Sequence, residues 1–167
     1  MNDDIRARVD EIKESIRTAF ASTKRPAKRQ IAEHRCEECK ELTETFAPLK
    51  WDSIQAEIIE SNFSQLSLFS PLAYHYFLPA YILRCLEELD PSNIVCEFTI
   101  YSLSPALNTD VERDWYEVRR RQFTGPQAAV VSAFLKLVQS TKSFTDFRSE
   151  AETGLRHWEK ISSHSAT

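Results

Sequence analysis

The chain has 167 residues, 28% charged and 42% apolar, which are the size and composition of one ordinary globular domain. Its formal net charge of -4 lacks the basic excess of a dedicated nucleic-acid binder. Its two glycines, Gly125 and Gly154, are too few for the standard phosphate-binding loop, dinucleotide turn, Gly-x-Ser-x-Gly elbow or EF-hand loop, which excludes several common enzyme classes.

The first predicted element is an amphipathic helix. Apolar residues recur at steps of three and four from Ile5 to Phe20, and Asp3 and Asp4 stand where the helix dipole favours acids. This charged start lacks the apolar stretch of a secretory signal, so we expect a cytoplasmic protein. We therefore expect its cysteines to be thiols or metal ligands rather than disulfides.

A basic run follows, KRPAKR at residues 24–29, and it predicts a solvated linker because it places four cations around a proline. A second helix is predicted from residue 27 or 28 to Phe46, where Pro48 ends it. Asp52 is then expected to cap a short helix carrying Ile54, Ile58 and Ile59.

The central segment, residues 61–83, has no charged side chain. Its length would suit a membrane span, but seven serine, asparagine, glutamine and histidine residues interrupt it, so we expect no membrane association. Ser70 is a preferred N-cap type, and Pro71 suits the first helical position, so a helix is predicted to begin there. Because this helix is apolar nearly all round, it is predicted to be the buried centre of a bundle.

Pro79 lies inside this predicted helix. It is expected to kink the helix axis and to leave the His75 carbonyl without its helical hydrogen bond. The neighbouring Tyr74, His75 and Tyr76 side chains then have two interpretations. They form either a satisfied buried polar network or a small-ligand pocket.

Four further helices are predicted after the central helix. Residues 94–101 alternate like a strand, but Asp90-Pro91-Ser92 resembles a helix start and no partner strand is present, so a helix is predicted. A loop over 104–109 precedes a helix over 110–122. Thr124-Gly125-Pro126 opens the next helix, and the last helix, near 144–161, keeps Phe147, Ala151, Leu155 and Trp158 in step. The sequence thus predicts an all-α, single-domain helical bundle over residues 1–167, with a buried, proline-kinked central helix.

The segment His34-Arg-Cys36-Glu-Glu-Cys39 is the strongest candidate for chemistry. His34, Cys36 and Cys39 are possible zinc ligands, with the fourth position left to His75, Cys85, Cys96 or water. On a regular helix, however, His34 and Cys36 lie roughly 200° apart and do not converge. Cys36 and Cys39 do share a face with Leu42 and Phe46, which predicts a structural apolar stripe and no cofactor.

A redox dithiol is the third interpretation of the same pair. It requires a thiolate stabilised by the positive end of a helix. The pair is predicted to lie several residues inside the second helix, where Glu37, Glu38 and Glu41 would raise the pKa of the thiols.

The segment from Trp115 to Phe123 mixes aromatic residues with arginines. This composition is compatible with single-stranded nucleic acid, but neighbouring acids offset the arginines, so a solvated face is the simpler interpretation. Aromatic residues and arginine also anchor protein interfaces. We therefore predict a protein-binding surface of Trp115, Tyr116, Arg119 and Arg120, where alanine at Trp115 or Arg119 leaves stability nearly unchanged.

Several motifs together resemble an uncharacterised bacterial domain-of-unknown-function family over about residues 5–140. They are Cys36-Glu-Glu-Cys39, Trp51, the stretch from Leu68 to Tyr81, and Phe123-Thr-Gly-Pro-Gln127. The chain departs from the family pattern at His75, where arginine is the expected type, and at Gly125 and Pro126. The resemblance implies a helical fold and no particular activity.

Taken together, these features predict a non-enzymatic cytoplasmic module that binds another protein. The alternative is a small zinc-binding or thiol-redox protein that uses His34, Cys36 and Cys39.

Overall fold

The structure, a computed structural model, describes residues 3–105 and 110–164. The regular secondary structure of these residues is helical. These ranges contain α1 (Asp3–Phe20), α2 (Glu37–Phe46), α3 (Ala56–Ser61), α4 (Pro71–Glu87), α5 (Ile94–Leu103), α6 (Asp110–Arg120), α7 (Gly125–Ser140) and α8 (Arg148–His164). Short 3-10 helices span Lys28–Gln30, Trp51–Ser53, Phe63–Ser67 and Lys142–Phe147. The all-α prediction is confirmed.

The central helix is α4, as predicted. Thirteen of its 17 residues are buried, and it packs against α1, α3, α5 and α6. Ser70 is its N-cap, with the hydroxyl oxygen accepting a hydrogen bond from the Ala73 N–H at 3.2 Å, and Pro71 occupies its first turn. The helix continues through Pro79 to Glu87. Within the described ranges, no helix has the length and apolar character needed to cross a membrane.

The last helices close the other side of the core. Thr124 and Gln127 form a capping box that starts α7, and α7 packs against α1 and α8. The apolar residues predicted for α8 are buried: Phe147, just before the helix, and Ala151, Leu155 and Trp158. The start of α7 had a clear local signal, and α8 was predicted from its apolar spacing, although it begins at Arg148 rather than near residue 144.

A single carbonyl joins three of the helices. The Leu103 carbonyl, at the end of α5, accepts hydrogen bonds from the Tyr116 hydroxyl at 3.0 Å and from the Trp158 Nε1–H at 2.9 Å. Carbonyls in the last turn of a helix lack an intrahelical partner. Here side chains from α6 and α8 supply the partners, so α5, α6 and α8 are held at one point.

Several predicted boundaries were wrong. The second helix begins at Glu37 rather than near residue 28, and residues 31–36 are irregular. Asp52 does not cap a helix but lies in a 3-10 turn, and α3 begins after Gln55. Residues 94–101 are helical, as predicted, with the Asn93 side chain accepting from the Val95 N–H at 2.9 Å. Residues 106–109 of the predicted loop lie outside the described residues.

The basic run 24–29 contacts the rest of the protein. Pro26 is buried, the Arg25 guanidinium donates to the Ala47 carbonyl, and Lys28 forms an ion pair with Glu44 at 2.6 Å. These contacts fasten the run along α2.

Gly154 allows α8 to pack closely against α5 and α7. A Cβ added at this residue would lie 3.0 Å from the Leu103 carbonyl oxygen and 3.0 Å from Leu135 Cδ1. The carbonyl is held by its two side-chain donors and has little freedom to move. Gly154→Ala should therefore lower the free energy of unfolding by about 1–3 kcal/mol, despite the better helix propensity of alanine.

Urea denaturation measures this change, with Ser149→Ala, an exposed position of α8, as the matched control. A Gly154→Ala variant as stable as the control would contradict the close packing.

Candidate functional site

The two cysteines of the Cys-x-x-Cys motif stand on either side of the start of α2. Cys36 is the N-cap residue, with extended backbone at φ -71° and ψ 168°, and its side chain is exposed. Cys39, three residues later, is 1% exposed. The prediction that both thiols lie inside a longer helix is therefore wrong for Cys36.

Tertiary hydrogen bonds explain why the helix starts so late. The Ser70 N–H donates to the Ile31 carbonyl at 2.8 Å, and the Ser70 hydroxyl donates to the Gln30 carbonyl. Ala32 also pairs with Phe69 in an isolated antiparallel bridge. This pairing holds residues 30–32 outside an α-helix, and α2 begins only after them, with Cys36 as its N-cap.

The two thiols have opposite electrostatics. The pKa of Cys36 is lowered mainly by its interaction with the Cys39 thiol, and the Cys39 backbone N–H lowers it further. The Cys36 side chain makes no regular capping hydrogen bond. Burial raises the pKa of Cys39, and so does its hydrogen bond to Cys36. Glu38 acts against a thiolate, as predicted, but the hydrogen bonds outweigh it at Cys36. Cys36 is thus the thiolate-forming member of the pair.

The predicted apolar stripe contains only one of the two cysteines. Cys39, Leu42 and Phe46 are buried together on α2. The Phe46 ring packs against Phe69 and Phe77, with ring centroids 4.9 and 5.1 Å apart. Cys39 therefore belongs to the core, whereas Cys36 faces solvent.

A cleft of about 910 Å³ opens beside the pair. Its walls are residues 28–35, α2, the start of α4 and the end of α6, and both Arg35 and Cys39 line it. Its charged lining residues are mainly basic: Lys28, Arg29, Arg35 and Lys40, against Glu33 and Glu44. Two exposed apolar side chains, Leu72 and Val118, also line it.

His34 is exposed in the same cleft. In the part of the chain that the structure describes, no three or more His, Cys, Asp and Glu side chains form a group able to hold a metal ion. His34, Cys36 and Cys39 therefore do not converge as a ligand set here. Zinc binding stays the alternative hypothesis, and the absence of a cofactor stays a prediction.

The other two cysteines form a second pair that is fully buried. Cys85 lies on α4 and Cys96 on α5, both with no exposed surface. The Cys96 thiol lies 3.8 Å from the carbonyl oxygens of Cys85 and Glu88. Burial raises the pKa of the Cys85 thiol well above its ordinary value. Such thiols are unreactive and pack as small apolar side chains.

The predicted ligand pocket at Tyr74, His75 and Tyr76 lies among packed helices. The Tyr74 hydroxyl is bonded to Ser102, with its oxygen 3.1 Å from the Ser102 carbonyl. His75 Nε2 lies 2.8 Å from Gln127 Oε1. Tyr76 is 5% exposed, and none of the three side chains lines the cleft beside Cys36.

Gln127 completes this network. Its amide nitrogen donates to the Ala19 carbonyl at 3.2 Å and to the Thr23 hydroxyl at 3.0 Å. Its Oε1 therefore accepts, which places the His75 proton on Nε2. The three helices α1, α4 and α7 are joined by this satisfied polar network, and ligand binding at it stays a prediction.

The predicted partner surface is partly interior. Tyr116 and Arg119 are buried, whereas Trp115 and Arg120 are half-buried. Arg119 Nη2 donates to the carbonyls of Ser67 and Phe69 at 2.7 and 2.8 Å. Its guanidinium lies over the rings of Tyr74 and Trp115, 4.8 and 4.6 Å from their centroids.

Arg120 is also engaged within the protein, because its Nη1 donates to the His157 carbonyl at 3.0 Å. The four side chains thus do not form one exposed surface. The expectation that Arg119→Ala leaves stability unchanged does not agree with this burial, while a role in partner binding stays a prediction.

The sequence of this domain matches the model of a family of unknown function, DUF6714, over residues 8–162. The chain belongs to the DUF6714 family. The predicted membership of an uncharacterised family is therefore confirmed, and the match extends beyond residue 140 into α8. Comparisons with curated proteins and with solved structures gave no match. DUF6714 membership brings no activity with it, so the chemistry must be inferred from the site.

Replacing Arg119 with alanine should lower the free energy of unfolding by more than about 2 kcal/mol. The change removes two hydrogen bonds from a charged donor and takes this donor away from the buried Phe69 carbonyl and the part-buried Ser67 carbonyl. Arg113→Ala is the control, because the Arg113 side chain is 52% exposed and pairs only at the surface with Asp110. It should change stability by less than about 0.5 kcal/mol. Equal effects in urea titrations would rule out a structural role for Arg119.

His75 should make stability depend on pH. Burial lowers its pKa from the ordinary 6.5, so the folded protein favours neutral His75. The stabilisation that comes from neutral His75 is fully present above pH 6.5. It is lost as the pH falls below 6.5, because the unfolded chain binds the proton first.

His75→Gln should remove this part of the pH dependence in unfolding curves between about pH 7.5 and pH 5. The pKa of His157 is also lowered, but His157 is present in both proteins and cancels in the comparison. Parallel curves for the two proteins would show that His75 is not held neutral.

Proposed function

We propose that this protein exchanges disulfides, with Cys36 as the attacking thiol and Cys39 as the resolving thiol. One observation carries the proposal. The exposed thiol of Cys36 stands at the start of α2, one helical turn before the buried thiol of Cys39, and the neighbouring Cys39 lowers the pKa of Cys36. A thiolate at a helix start is stabilised by the positive end of the helix, and a thiolate is the form that attacks disulfides.

The first step forms a mixed disulfide. The Cys36 thiolate attacks one sulfur of a substrate disulfide, the substrate S–S bond breaks, and the departing thiolate takes up a proton from water. The lowered pKa of Cys36 increases the fraction of thiolate available for this attack near neutral pH.

The second step resolves the mixed disulfide. Cys39 loses its proton and attacks the Cys36 sulfur, which forms a Cys36–Cys39 disulfide and releases the second substrate thiolate, to which a proton is returned. Two electrons have then passed from the dithiol to the substrate. A low-molecular-weight thiol returns the pair to the dithiol state by the reverse reaction.

The backbone spacing supports this second step. On a regular helix, residues three apart have Cα atoms about 5 Å apart. Disulfides bridge Cα separations of about 4.4–6.8 Å, so this spacing is within their range. Burial keeps Cys39 protonated in the resting pair, which leaves Cys36 as the first nucleophile.

The protein-interaction function and the cytoplasmic location stay predictions, and the zinc site stays an alternative hypothesis. Thiol exchange is favoured over protein interaction and zinc binding because it uses a side chain that is exposed, positioned at a helix start and electrostatically distinct from Cys39.

The proposal predicts different products from single cysteine variants. After treatment with a small aromatic disulfide, Cys39→Ser should hold a stable mixed disulfide at Cys36, because no resolving thiol remains. The wild type should instead form an internal disulfide between Cys36 and Cys39. Intact-mass and peptide-mapping mass spectrometry distinguish the two products.

Cys85→Ala is the matched control, because it removes a thiol that lies outside the pair and is fully buried. It should retain exchange, whereas Cys36→Ser should abolish it. The proposal would be overturned if Cys36 is modified no faster than a cysteine in an unstructured peptide. It would also be overturned if Cys36→Ser retains exchange.

A further inference from the structure

We infer, on the basis of the proposed exchange at Cys36, that the substrate is a small disulfide carrying carboxylates, which binds in the basic cleft beside that thiol. The cleft lies next to the start of α2. Arg35 and Cys39 both line it, and in the chain they stand one residue before and three residues after Cys36. We therefore expect a disulfide held in the cleft to be attacked by Cys36 from this edge.

The cleft has the dimensions of a small-molecule site. Pockets that enclose ligands of drug-like size measure roughly 300–1,000 Å³, and this one is about 910 Å³. A concave site of this volume therefore suits a small molecule better than it suits the flat surface of a protein partner.

The charge of the cleft selects the sign of the ligand. Lys28 pairs with Glu44 at 2.6 Å, and Lys40 pairs with Glu37 at 2.9 Å, so these two lysines are already neutralised. Across residues 3–105 and 110–164, Arg29 and Arg35 have no ion pair.

Two unpaired guanidinium groups are therefore available to an anion, and the planar guanidinium binds carboxylates with two parallel hydrogen bonds. Glu33 is the acidic lining residue that opposes them, and it leaves a positive balance. This balance is the reverse of the protein as a whole, which carries -4.

The apolar part of the lining fits the rest of such a ligand. Leu72 and Val118 are each 43% exposed, and both line the cleft. Aliphatic side chains left accessible in a concave site are suited to the methylene groups next to a substrate sulfur. Cations and apolar groups together favour a molecule with carboxylates on a short aliphatic or peptide body.

The test compares oxidation of the reduced protein by three disulfide probes of different charge. Oxidised glutathione is anionic, hydroxyethyl disulfide is neutral, and cystamine is cationic. Stopped-flow rates are measured for the wild type and for the double variant Arg29→Gln, Arg35→Gln. The double variant should react roughly five- to tenfold more slowly with oxidised glutathione, while its rate with hydroxyethyl disulfide should stay within about twofold.

The cationic probe and salt give two further readouts. Cystamine should react faster with the double variant than with the wild type, because a repulsive charge has been removed. About 0.5 M salt should remove most of the difference between the two proteins, because it screens exposed charges.

A matched control separates local from general charge effects. Arg6→Gln, Arg148→Gln removes two exposed cations elsewhere on the protein, so its net charge equals that of the test variant. It should react with oxidised glutathione within about twofold of the wild type.

The outcomes separate this inference from the proposed exchange. The substrate assignment is wrong, and the exchange stands, if the double variant keeps the wild-type rate with oxidised glutathione. The same holds if its rate falls by the same factor with the neutral probe as with oxidised glutathione. If none of the three probes produces a Cys36–Cys39 disulfide in the wild type, the exchange itself is wrong, and the substrate assignment is wrong with it.

Discussion

The entry to α4 is the junction on which the rest of the structure depends. The side chains of α4 are almost all apolar, so they cannot hydrogen-bond the backbone N–H and C=O groups of the segment that leads into the helix. Residues outside α4 must supply those hydrogen bonds. Arg119 supplies N–H donors to the carbonyls of Ser67 and Phe69. The N–H and hydroxyl of Ser70, in turn, donate to the carbonyls of Ile31 and Gln30. One short stretch of backbone thus holds α6 on one side and the approach to α2 on the other.

This junction also builds the candidate site. The cleft lies between the two structures that the α4 entry fastens, so its walls are residues 28–35 on one side and the end of α6 on the other. Because residues 30–32 are paired with 69–70, they do not join α2, and the helix begins after them with the thiol at its start. The electrostatics of Cys36 therefore depend on hydrogen bonds made by a serine in another helix, which has no chemical role of its own.

The elements that could be predicted are those whose signals are local. Ser70 with Pro71, and Thr124 with Gln127, fix helix starts through their own side chains, and the apolar spacing of α1 and α8 defines their buried faces. The break before α2 depends on a partner about 40 residues away, so no local pattern shows it. One signal was present: Glu37 and Glu38 are acids of the kind found in a first helical turn. The burial of Arg119 had no such signal, because its partners are backbone carbonyls rather than acids that the sequence could reveal.

The two cysteine pairs show that position, rather than residue type, decides the chemistry. Cys85 and Cys96 are both fully buried, so neither thiol is offered to a substrate, and burial raises the pKa of Cys85. Cys36 and Cys39 differ in exposure and in the direction of their pKa shifts, although a single turn of helix separates them. Stepwise exchange needs this difference, because one thiol must attack first and the other must wait until a mixed disulfide has formed. An oxidant that reaches this protein therefore meets the pair at the start of α2 first, and the buried pair stays in the thiol form as long as the core is closed.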